Sequence, residues 1–262
     1  MTTVHETAVV SAGARLGDGV EIGPYAIVGP EARIGRGTRL SAHVVVEGRT
    51  TIGERCVVYP GACLGTPPQD KKWKPCDSRV EIGDDNVIRE CVTVHLGSKP
   101  GSVTRLGNGN FLMVGSHVGH DSVLGNNVTM ANSVALGGFV QVDDGAVIGG
   151  LAGVHQFCRI GKLAMVGGLS KVVADVPPYS VCDGNPARFY GVNAVGLKRS
   201  GFSSKDLAEV KKALTLLFAS GLNLQNALKR VGEECSRSPE LETILSFVRG
   251  SKRGIVRVSA EG

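Results

Sequence analysis

Wide side chains are scarce in this chain, which holds one Trp, four Tyr and seven Phe among 262 residues. A core built on ring packing is thereby excluded, and an interior too narrow for rings is favoured. Long apolar runs are also lacking, so no segment is expected to cross a bilayer as a helix. The seven cysteines (Cys56, Cys63, Cys76, Cys91, Cys158, Cys182 and Cys235) form no CxxC pair, and their number is odd. A disulfide-built secreted fold is therefore not expected, and reduced thiols in a cytoplasmic setting are. Neither sign of charge dominates the body of the chain. Residues 193–262 carry 12 Lys/Arg and 7 Asp/Glu, whereas residues 1–192 carry 17 of each. The basic excess thus sits in the last quarter, where it suits an acidic protein partner; no nucleic-acid partner is expected.

What the chain has instead is a period of six. From Val4 to Val172, 26 of 29 steps of six land on Val, Ile, Leu or Met, the exceptions being Asp70, Cys76 and Pro100. The following residue is Gly in 15 of the 29 steps, and the residue three further on is nearly always small. Cys56 and Cys158 occupy that small slot and read as small hydrophobes. One inward aliphatic, a Gly at the corner and one small inward residue per hexad is the signature of a parallel β-helix. Because the repeat starts at Val4, no leader peptide is expected.

Two stretches break the period. Residues 66–79 (TPPQDKKWKPCDSR) and 97–103 (GSKPGSV) are rich in Pro, Gly or charge, and are expected as loops leaving the coil. The coil is expected to end at Pro177-Pro178, giving a β-helix over 1–180 and a linker with three helices over 181–262. Ser203 or Ser204 can cap a helix running to about Ser220, Asn223 to about Cys235 gives a second, and Ser238-Pro239 opens a third ending near Gly250. Leu207, Val210, Ala213, Leu214, Leu217 and Phe218 share one helical face. The tail from Ser251 looks poorly packed.

Six histidines exist: His5, His43, His95, His117, His120 and His155. Residues 18 apart stack in adjacent coils, at roughly 4.8 Å. Stepping by 18 from His120 gives Gly138 and then Gln156; from Gly119 it gives Gly137 and then His155. If the second loop inserts six residues, His95 falls one coil below Gly119. One corner therefore gathers His95, His120, Gly138, His155 and Gln156, with His117 and Asp121 flanking. Three readings are open: isolated polar corner residues, a zinc site of the kind imidazoles form, or acid–base catalysis. In the third, Asp121 would orient and stabilise the ring of His120.

The segments SHVGHDSVLGNN (116–127), VHQFCRIGKLAMVGG (154–168) and GVNAVGLKRSGFS (191–203) resemble the UDP-N-acetylglucosamine O-acyltransferase family over essentially the whole chain. The resemblance implies a three-sided, left-handed β-helix with a C-terminal helical domain. It also implies a homotrimer with sites between neighbouring prisms. The implied reaction moves a 3-hydroxyacyl chain from acyl carrier protein to the sugar 3-hydroxyl, the first step of lipid A synthesis. No cofactor of the chain's own and no metal are implied, because the phosphopantetheine arrives on the carrier. Carried over by motif, His120 is the general base, Asp121 its orienting carboxylate, and the Gly138 N–H the oxyanion donor. Gln69, Asp70, Lys72, His95, His117, His155, Gln156, Met165, Gly168, Asn193 and Arg199 match substrate-binding positions. Gly168 would leave the acyl groove open, so a longer chain is expected.

Two residues depart from the family pattern. Phe139 stands where another His is common, and Val195 where an acidic residue is common. Phe139 raises the alternative of a sugar nucleotide with a 3-amino group. Other rivals are a coenzyme A-dependent sister acyltransferase, a zinc hydratase of the same fold, and a purely structural scaffold.

Overall fold

A computed structural model describes residues 1–258 of the chain; the last four residues of the expected 181–262 region lie outside the described residues. The six-residue period becomes strands of mostly two residues joined by turns that start the next side; from Glu21–Ile22 onward the repeat aliphatic is buried, whereas Val4 in the first coil is exposed. Successive strands fall on three sheets of eleven, nine and eight strands, parallel except for the last strand of the eleven. Face I starts at Thr3–Val4, face II at Val9–Val10 and face III at Arg15–Leu16. Within a face, partners are 18 residues apart, as in Val9 with Ile27. The offset grows to 30 across the first loop (Cys63 with Thr93) and to 24 across the second (Thr93 with His117). Both loops leave the same corner, between face II (Cys63–Thr66, Thr93–His95) and face III (Arg79–Ile82, Val103–Leu106).

The core is a column of aliphatics with small residues between them: Val118, Leu136, Val154 and Val172 stack on face II, and Ser122, Val140 and Cys158 fill the small slots. Burial pushes the Cys158 thiol up to about 11, so it behaves as a small apolar group. No helix among the described residues is long and apolar enough to cross a membrane.

The coil does not end at Pro177-Pro178. Ser180–Gly184 continues face I in parallel with Met165–Val166, and Ala187–Val192 folds back on it antiparallel. The two prolines lie beyond Val176, which bridges Ile160 on face III, and before the face I strand. At that corner no ladder N–H is required, so proline costs nothing there. Four helices follow, one more than expected: α1 (Ala194–Arg199), α2 (Ser204–Phe218), α3 (Leu224–Glu234) and α4 (Pro239–Arg249). Ser203, Asn223 and Ser238 cap α2, α3 and α4 with their side chains, and Ser203 forms a reciprocal capping box with Asp206. The helices cover the last coil through Phe189–Phe218 and Tyr179–Phe202 ring contacts. The Arg159 guanidinium also lies 4.0 Å over the Phe247 ring.

Residues 251–258 are mostly exposed, as the sequence suggests, but are anchored at Val256. The Val256 N–H donates to the Asp175 carbonyl at 3.0 Å, and Val256 is buried. Asp175 is itself fully buried, and its carboxylate accepts from the Arg159 N–H and the Ser251 hydroxyl. Coil end and tail therefore satisfy each other's polar groups.

Candidate active site

The corner between faces II and III carries the chemistry. On successive rungs stand His120-Asp121, Gly138-Phe139 and Gln156-Phe157; the Phe139 N–H donates to the His120 carbonyl and the Phe157 N–H to the Gly138 carbonyl. Asp121, Phe139 and Phe157 all take left-handed backbone conformations (φ 60°, 61° and 67°). At this corner that conformation turns each side chain out beside the one below.

His120 Nδ1 lies 2.7 Å from Asp121 Oδ2, with side chains 18% and 6% exposed. The second loop completes the pair, since the Ser98 N–H donates to both Asp121 carboxylate oxygens at 3.0 and 3.2 Å. From the coil below, the Thr104 hydroxyl accepts from the Asp121 N–H. Burial works against the charge on Asp121, but hydrogen bonds from Ser98, His120 and Ser102 outweigh it. They hold the carboxyl below its ordinary value of 3.8. Asp121 is therefore an anion at neutral pH, fixed on the imidazole, and the remaining nitrogen of His120, Nε2, is free to take a proton.

Gly138 sits against the same ring. A Cβ there would lie 2.5 Å from His120 Cε1 and Nε2, closer than side-chain carbons approach anything. Only glycine lets the imidazole rest where it does. Among the described residues no acceptor meets the Gly138 N–H, which leaves it available to an incoming oxygen. Phe139 closes another side of the ring, edge-to-face at 5.2 Å, and Phe157 stacks on Phe139 at 4.8 Å.

Below and beside this pair, His95 and His117 pack ring edge to ring face at 4.7 Å. His117 Nδ1 is 2.7 Å from the Thr93 hydroxyl. Burial, with repulsion from His117 and His120, lowers His95 to about 4; burial and His120 lower His117 too. Both rings are neutral near pH 7, so they offer hydrogen bonds rather than charge. Among the described residues no three His, Cys, Asp or Glu side chains are arranged to share a metal ion.

The other expected residues are spread more widely. The corner brings together His95, His117, His120, Asp121 and Gly138, with exposed His155 and Gln156 above them. Gln69, Asp70 and Lys72 belong to the first loop, which springs from this corner; Asp70 and Lys72 are exposed, and Asp70 accepts from the Lys72 N–H. Met165 and Gly168 belong to face I and the corner after it, away from His120 in the same chain. Asn193 is engaged within the fold: its Oδ1 caps α1 by accepting from the Gly196 N–H, and its amide donates to the Leu163 carbonyl. Arg199 ends α1 and is exposed. Two contributors are not reached by stepping through the repeat, the Ser98 N–H and the Phe139 ring contact. Ser98 lies in an aperiodic loop, where stepping by 18 has no meaning. For Phe139, spacing gives the place one rung above Asp121 but not the packing of its ring on His120.

Comparison with known proteins gives consistent matches. A family model described as UDP N-acetylglucosamine O-acyltransferase, domain 2, matches residues 175–256. An acyl-(acyl-carrier-protein)–UDP-N-acetylglucosamine O-acyltransferase from Thiobacillus denitrificans is 43% identical over 258 residues, 98% of this chain and 100% of that protein. The protein of the same name from Synechocystis is 45% identical over 208 residues, 79% of this chain and 75% of its own length. A solved UDP-N-acetylglucosamine acyltransferase from Bacteroides fragilis superposes with a TM-score of 0.95 at 37% identity, covering 97% of this chain and 100% of that one.

Proposed function

The chain belongs to the UDP-N-acetylglucosamine O-acyltransferase family, and on that premise we propose that it transfers a 3-hydroxyacyl chain from acyl carrier protein to the 3-hydroxyl of UDP-N-acetylglucosamine, the first step of lipid A biosynthesis, with His120 as general base. The observation that carries the catalytic part is the His120–Asp121 pair at 2.7 Å, backed by the Ser98 N–H and set beside the open Gly138 N–H.

In this reading His120 Nε2 takes the proton of the sugar 3-hydroxyl as the oxygen attacks the thioester carbonyl. Asp121 stays ionised and stabilises the imidazolium. The Gly138 N–H serves the oxyanion, a donor that needs no rearrangement as charge develops. Collapse of the intermediate breaks the C–S bond, and the imidazolium returns its proton to the departing thiolate of the carrier. His117, His155 and Gln156 line the sugar and acyl side of the corner, and neutral His95 supports His117 from below. Gln69, Asp70 and Lys72 would close over the nucleotide from the first loop, with Arg199 available to a phosphate.

Three copies assembled side by side belong to the same proposal. Leu151 and Leu169 stand 62% and 70% exposed on successive rungs of the corner between faces I and II, and Phe157 is 47% exposed at the next corner. Apolar surface of this kind is normally covered. A neighbouring prism covering it would bring its own Met165 and Gly168 toward the His120 corner, where they would bound the acyl chain. The net positive charge of 193–262 would draw in an acidic carrier protein.

Nothing in the geometry favours a 3-amino acceptor, since Phe139 packs on the imidazole and supplies no group that would read an amine. Mass spectrometry of the product made from UDP-N-acetylglucosamine and a mixed pool of acyl carrier protein and coenzyme A thioesters tests the proposal. A 3-O-acylated sugar nucleotide formed only from the carrier-bound donor is expected. Product from coenzyme A thioesters alone, or none, would overturn it.

A further inference from the structure

Of the sides open to the His120 ring, one is closed by a group that neither accepts nor donates a hydrogen bond. Nδ1 is engaged by Asp121, Cε1 and Nε2 fill the space a Cβ at Gly138 would take, and the Phe139 ring stands nearly perpendicular, 87° from the imidazole plane with centroids 5.2 Å apart. Such edge-to-face contacts are directional, because the ring quadrupoles favour the perpendicular arrangement. Phe139 is held in turn. Phe157 stacks on it at 11° and 4.8 Å, the Lys99 ammonium of the second loop lies 6.0 Å from its centroid, and its N–H is tied to the His120 carbonyl.

We propose that Phe139 is a positioning residue for the acyl transfer: its ring, braced by Phe157, fixes the plane of the His120 imidazole so that Nε2 faces the acceptor hydroxyl. An aromatic ring limits the imidazole to one carboxylate partner and one free nitrogen. The effect belongs to the chemical step, because a rotated imidazole binds the sugar no worse but meets its proton out of line. The same second loop that supplies Ser98 to Asp121 supplies Lys99 to Phe139, so the two fixings of His120 share one support.

The inference rests on His120 being the base, and the experiment keeps the two apart. Full-length Phe139→Leu, Phe139→Tyr, Phe157→Leu and His120→Ala proteins are compared in steady-state kinetics, with thermal unfolding alongside. The expected result is that Phe139→Leu lowers kcat by at least about tenfold while KM for sugar nucleotide and donor stay within about twofold. Phe139→Tyr, which restores the ring, recovers most of that loss, and Phe157→Leu loses an intermediate amount. A Phe139→Leu protein that raises KM for the acyl donor at unchanged kcat would show the ring to be a groove wall and overturn the proposal. So would a lower unfolding temperature with unchanged kinetics. A His120→Ala protein that keeps its turnover would remove the underlying reading instead, whatever the Phe139 variants do.

Discussion

Replacing Gly138 by alanine tests how closely the imidazole must be placed. The added methyl would start 2.5 Å from His120 Cε1 and Nε2 and 3.0 Å from Nδ1. Ordinary contact needs at least 3.4 Å, so the ring has to retreat by about 1 Å, the scale of misplacement that can cost 10²-fold in rate. Retreat is constrained because Nδ1 is held at 2.7 Å by an Asp121 carboxylate that Ser98 itself fixes, and Phe139 stands beside the ring. The backbone of residue 138 is not in the left-handed region, so alanine brings no conformational penalty, and its N–H survives for the oxyanion. A loss of roughly 10² in kcat, or about 2.7 kcal/mol of barrier, is expected, with unfolding temperature and KM little changed. The assay is product formation under saturating acyl carrier protein thioester and UDP-N-acetylglucosamine. Turnover within about twofold of the parent would refute the reasoning, because the imidazole would then have no required position.

Asp121→Asn keeps the shape of the pair but removes the charge that stabilises the imidazolium. By analogy with other carboxylate–histidine pairs, kcat should fall by about 10² to 10⁴, measured at saturating substrates. His95 carries a folded-state value of about 4 against an ordinary 6.5. Its neutral burial therefore stabilises the fold fully above pH 6.5, and that contribution is lost as pH falls toward 4. In urea titrations at pH 7 and pH 5, His95→Gln should narrow the stability difference between the two; an unchanged gap would contradict the assignment. Asp175→Ala leaves the Arg159 N–H and the Ser251 hydroxyl without their acceptor in a buried place. It should cost about 1–3 kcal/mol in unfolding free energy while kcat of the folded protein is retained.

Much of the site could be read from spacing, because a coil of constant register turns sequence distance into spatial position. His120, Gly138 and Gln156 follow from steps of 18, and the 24-residue offset between Thr93 and His117 sets His95 below Gly119 as a six-residue insertion requires. Helix starts at Ser203, Asn223 and Ser238 were legible because capping is local chemistry. Where periodicity ended, legibility ended with it. The strand at Ser180–Gly184 was hidden because proline excludes a ladder position but says nothing about a corner. Helix α1 was hidden because Asn193 matched a nucleotide contact, whereas its amide is committed to Gly196 and Leu163. The grip of Ser98 on Asp121 depends on the path of an irregular loop. The perpendicular fit of Phe139 depends on rotamers that no repeat encodes.

The central claim is that one imidazole at the corner of faces II and III removes the acceptor proton. Its most direct measurement is kcat for His120→Ala beside the parent, at saturating acyl carrier protein thioester and UDP-N-acetylglucosamine, with folding checked by circular dichroism. A fall of about 10² to 10⁴ in a folded protein is predicted. A folded variant that still turns over at the parent rate would contradict it.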